Sequence, residues 1–115
     1  MSRTLPSLPA AWAGIVLGPL GAALHHLAAA SLVYDDCTRG GAALTLGSGL
    51  AAALLILAGG VASLRAWRGA AVPMDEPQGG ARRFLGALGT CMAAFFLVLV
   101  AVQAASGLFL TGCER

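Results

Sequence analysis

Between Arg3 and Tyr34 the chain carries only two ionisable side chains, the adjacent His25 and His26 of "GPLGAALHHLAAASLVYDDC". An imidazole in such oily surroundings can ligate haem iron, relay a proton, hydrogen-bond a quinone or tie one helix to another. Its companion by depth is Gln103. His26 lies eight residues before Tyr34, about 12 Å along a helix, and Gln103 lies seven before Leu110, about 10 Å. Ser48 and Ser106 fall somewhat nearer the same end, so a small polar cluster is expected there. Bis-histidine haem ligation needs a second histidine from a facing helix, and both histidines of this sequence share one segment. Quinone binding or proton relay by His25, His26 and Gln103 is chemically sensible. The residues favour a structural role, in which a neutral histidine bonds Gln103 or a backbone carbonyl and fixes helix register, worth about 1 kcal/mol. Asp35 cannot join His26 around a metal, since nine residues of helix separate them by about 13 Å, and Asp35 and Asp36 read as solvated residues at a span's exit. No triad, paired carboxylate or phosphate-cradling loop can be assembled, so no enzyme is expected and no resident cofactor, quinone or haem being the alternative.

The elements that must position these residues follow from composition. Of 115 residues 58% are hydrophobic and 10% charged, which lies outside the range of soluble domains. Residues 10–34, 43–67 and 84–110 each exceed the run of about 20 apolar residues that crosses a hydrocarbon core about 30 Å thick. The fold expected is a single all-α membrane domain over residues 1–115 with three transmembrane helices. Residues 68–83, with Pro73, Pro77, Gly79 and Gly80, read as a flexible linker with Asp75 and Glu76 solvated. The first segment reads as a span rather than a cleaved leader, because its apolar run is long for one and is interrupted by Pro6, Pro9 and Pro19. Arg3, Arg65, Arg68, Arg82 and Arg83 fall on one side of this arrangement, Arg39 and Arg115 on the other. The bias predicts a cytoplasmic N-terminus and second loop and a periplasmic C-terminus, in a multi-pass protein of the bacterial inner membrane. Trp67 and Tyr34 fit interfacial anchors at opposite faces. No basic patch with interleaved aromatics suggests nucleic acid.

That topology sorts the cysteines. Cys37 and Cys113 share the outer face, which predicts a disulfide in an oxidising periplasm, stabilising by about 2 to 4 kcal/mol through loop closure. A redox pair or copper thiolate site is the rival, without support from spacing, because no Cys-x-x-Cys is present. Cys91 is expected to pack between helices as a small residue.

Helices in lipid associate by close approach at small residues. Gly14, Gly18, Gly21 and Ala28 lie on one face of the first helix, and His25 falls within about 20° of Gly14 on that face while His26 points about 100° away. Gly47 and Ala51 continue toward Ala58 and Ala62 on the second helix, and Gly86, Gly89, Ala93 and Gly107 mark the third. These stripes predict a tight three-helix bundle or docking against a larger membrane partner. Pro19 predicts a kink near the midplane.

"GPLGAALHHLAAASLVYDDC" followed by "FFLVLVAVQAASGLFLTGCER" resembles a family of small three-helix bacterial inner-membrane proteins encoded near haem-copper (cytochrome c) oxidase subunits. The resemblance covers the first and third helices through Gly18, Pro19, His25 or His26, Cys37, Gln103 and Cys113. Departures are Gly21 and Ala22 where an aromatic is expected after Gly-Pro, and Gly112 where a Pro would precede the last Cys. It implies partnership with larger subunits of a respiratory complex, and it adds weight to the disulfide and to a role for Gln103 and the histidines. The expected function is a non-catalytic accessory or assembly subunit acting by helix packing in the lipid bilayer. A quinone- or haem-binding protein and a free-standing homo-oligomer, which the Gly-x-x-x-Gly face permits, are the alternatives.

Overall fold

The computed structural model describes residues 8–35, 42–69 and 77–109, all of them in or next to helices. Three helices follow in order: α1 over Leu8–Asp35, α2 over Ala42–Arg68 and α3 over Pro77–Phe109. Their Ala- and Leu-rich sequences have high helix propensity, and in lipid a helix satisfies every backbone polar group within one segment. The apolar spans of 23, 26 and 30 residues are each long enough to cross a membrane, for which about 20 suffice. The fold is thus the expected all-α, three-span arrangement.

One boundary differs from the sequence reading. α3 begins at Pro77, not near Phe84, so part of the expected linker is helical. Proline is favoured in the first turn of a helix, where its fixed φ is pre-organised and its missing N–H has no acceptor to lose. At 33 residues α3 is about 50 Å long, longer than the hydrocarbon core, and Arg82 and Arg83 stand near its N-terminal end. α1 runs as one helix through Pro19. α2 closes on a backbone hydrogen bond from Gly69 N–H to the Arg65 carbonyl at 2.7 Å, with Arg65 and Arg68 in the last turn facing the negative end of the helix dipole.

All three helices pack against one another. The buried positions of α2 are Gly49, Ala52, Ile56, Gly59, Ser63 and Ala66, an alternation of three and four residues that keeps one seam facing the neighbours. α1 contributes Ala11, Gly14, Gly18, Gly21, Ala22 and His25, and α3 contributes Gly86, Gly89, Ala93 and Val100. Large apolar side chains such as Leu24, Leu50, Phe95 and Val102 point outward instead. This inversion is what a lipid solvent allows: nothing is gained by hiding leucine from hydrocarbon, so the interior is reserved for residues that let backbones meet.

The closest meeting is at Gly14. A Cβ there would collide with the carbonyl oxygen of Gly89 and lie 2.8 Å from Ser63 Oγ, so α1, α2 and α3 converge on one point. Further along, a Cβ at Gly86 would lie 2.8 Å from the Trp67 backbone nitrogen, and one at Gly59 would lie 2.8 Å from the Ala13 carbonyl oxygen. No described glycine has a positive φ, so these positions need glycine for space and not for backbone conformation.

The seam on α2 is not the one expected. Gly47, Ala51 and Ala58 are exposed, and a Cβ at Gly47 would meet nothing within 4 Å. Gly49 lies two residues on, about 200° around the helix, and its seam brings in Ser63 and Ile56. Cys91 is likewise exposed and not packed between helices, because it stands two residues from the buried Gly89. Cys37 and Cys113, the expected disulfide, lie outside the described residues.

Candidate functional site

Ile56, His25 and Ser63 are the largest fully buried side chains, so two of the three are polar. A buried polar side chain in a membrane helix must find a partner or carry a cost of order 1 kcal/mol or more. His25 is 2% exposed, and its ring reaches α2, where Nδ1 lies 3.1 Å from Ser48 Oγ. The Ser48 hydroxyl donates to the Thr45 carbonyl at 3.1 Å. One direction satisfies both contacts: His25 Nδ1–H donates to Ser48, Ser48 donates to Thr45, and Nε2 is left as an acceptor. Glycine makes this approach possible, since a Cβ at Gly49 would stand 3.5 Å from His25 Cε1 and 3.3 Å from the Ala104 Cβ.

His26 faces outward and is exposed, so the adjacent histidines have different surroundings and do not converge on one ligand. Gln103 is half-buried on α3; its Oε1 is covered and has no hydrogen-bond partner among the described residues. No hydrogen bond joins it to His25. Ser48 takes the histidine instead, which the sequence placed in the same cluster without pairing. Ser106 is exposed and donates to the Gln103 backbone carbonyl at 2.8 Å, so it serves its own helix. A groove of about 350 Å³ runs beside His25 between α1 and α2, with Gly21, Leu24, Ala28, Ser48 and Ala51 along its walls.

Ser63 is the residue that the sequence reading missed. The Gly14 N–H donates to its Oγ at 2.8 Å, and its hydroxyl donates to the Ala11 carbonyl at 3.1 Å, so an α2 side chain sits in the backbone ladder of α1. The signal was present as a serine four residues after Gly59 and three before Ala66. It becomes visible only when the α2 seam is followed from Gly49 and not from Gly47. Gly18, Gly21 and Gly107 complete the contacts, against Phe96, Ile56 and Thr45 respectively.

Comparison with protein-family models, curated proteins and solved structures finds no match to this chain.

Proposed function

We propose that this chain is a non-catalytic accessory or assembly subunit of a bacterial respiratory membrane complex of the cytochrome oxidase type, acting by helix packing in the inner membrane. The observation that carries the reading is a division of surfaces. The glycine seam is taken up between the chain's own helices, with Ser63 and His25 as its polar ties. Outside it, α2 presents a second small-residue stripe, Gly47, Ala51 and Ala58, of the kind on which another transmembrane helix packs closely. The likeness of the first and third helices to proteins encoded beside oxidase subunits supplies the choice of complex.

In this reading the N-terminus and the α2–α3 connection face the cytoplasm, following the arginine bias. Cys37 and Cys113 then form a disulfide on the periplasmic side. Affinity purification of the tagged chain in mild detergent is expected to bring oxidase subunits with it, and a deletion strain is expected to hold less assembled oxidase. Oxidase purified without this chain, at unchanged levels in the deletion strain, refutes the proposal.

A second reading rests on the groove beside His25. A quinol hydroxyl would donate to the Nε2 acceptor of the ring there, and solvent extraction of the purified chain measures it: bound quinone or quinol near one per chain supports this reading, and none refutes it. A missing Soret band in the same sample removes haem. Cross-linking to a second copy and to nothing else would favour the homo-oligomer.

A further inference from the structure

At the end of the bundle where α2 stops and α3 starts, a notch of about 580 Å³ opens, lined by Trp67, Arg68, Gly80, Arg83, Phe84 and Ala87. Two features coincide there. The first is charge: Arg65 and Arg68 close α2, Arg82 and Arg83 lie in the first turns of α3, and these four outnumber Asp75 and Glu76 of the connecting segment, which lie outside the described residues. The neighbouring Arg82, which is not part of the lining, buries Nε and Nη1 without an acceptor among the described residues. The second is an apolar wall, Trp67 and Phe84, 42% and 67% exposed, at the arginine-bearing ends of the α2 and α3 spans.

Guanidinium forks match the oxygens of a phosphate, and the positive end of α3 adds to the field. A free phosphate would use the arginines and leave Trp67, Phe84 and Ala87 uncovered. A phospholipid uses both, with its phosphate between the arginines and the beginning of its acyl chains along the aromatic wall. At Gly80 the notch borders open space, since a Cβ there would meet none of the described residues within 4 Å. We propose that this notch is a binding site for an anionic phospholipid, with Arg68 and Arg83 gripping the phosphate and Trp67 and Phe84 flanking the chains.

The full chain, purified in mild detergent, is offered equal amounts of phosphatidylglycerol and phosphatidylcholine, and retained lipid is counted by native mass spectrometry. Preferential retention of phosphatidylglycerol is expected. Arg68→Gln and Arg83→Gln are each expected to weaken it about fivefold, and Arg65→Gln, outside the lining, by less than about twofold. Arg83→Lys keeps the charge but loses the fork, and is expected to weaken retention by at least about twofold. Circular dichroism of each variant confirms retained helix. Equal retention of the two lipids overturns the proposal. So does Arg65→Gln acting as strongly as Arg83→Gln, or Arg83→Lys acting as wild type, because either means diffuse attraction. Inorganic phosphate raising the melting temperature as far as phosphatidylglycerol does would assign the notch to a free anion and overturn it as well.

Discussion

Ser63 ties two helices with a single hydroxyl, accepting from Gly14 N–H and donating to the Ala11 carbonyl where the side chain is fully buried. Interhelical hydrogen bonds in membranes are individually modest, so Ser63→Ala is expected to destabilise the bundle by about 1 to 2 kcal/mol, read by SDS titration in mixed micelles. Gln103 predicts the opposite sign. Its Oε1 is buried without a partner among the described residues, and Gln103→Leu is expected to stabilise the isolated protein by about 1 kcal/mol in the same titration. If Gln103 serves a partner subunit, the same substitution is expected to lower copurification while raising the stability of the chain alone. His25 was legible as the inward histidine, because its angle to Gly14 follows from helix geometry alone. Its bond to Ser48 was not, because that depends on how far α2 is rotated about its own axis.

Each helix is defined by a seam, and a seam can be tested by pairs of substitutions. Gly89→Leu places a branched side chain against Ser63 and the Ala11 carbonyl, where even a Cβ stands 3.0 Å from that oxygen, and is expected to cost more than about 3 kcal/mol or abolish the bundle. Gly47→Leu faces open space and is expected to leave the stability of the isolated chain within about 0.5 kcal/mol. In the proposed assembly, however, it should reduce recovery of the partner subunits. The seams of α1 and α3 could be read from their glycine spacing, since Gly14, Gly18 and Gly21 share one face of α1, as Gly86, Gly89 and Gly107 do on α3. On α2 nearly every turn offers a glycine or alanine on both sides, so composition gave two stripes of similar quality. Packing against Gly14, Gly86 and Gly89 selected the one containing Ser63.

The described residues form a bundle whose outer surface is apolar around its span and whose arginines, Arg65, Arg68, Arg82 and Arg83, gather at the α2–α3 end. Orientation gives a further test. Membrane-impermeant alkylation of intact cells is expected to label neither Cys37 nor Cys113 until a reductant is added, whereas labelling of Cys37 without reductant refutes the bridge. Sequence by itself determined the number of helices, their capacity to cross a bilayer and the gathering of positive charge, because each depends on hydrophobic length and residue order along one chain. Tertiary structure decided which face of α2 is inside, that Ser48 and not Gln103 receives His25, and that Arg68 and Arg83 line one notch with Trp67 and Phe84. These choices depend on the rotation and separation of helices already formed, and in lipid those are set by how closely small residues let backbones approach, a property of pairs of surfaces that no single segment encodes.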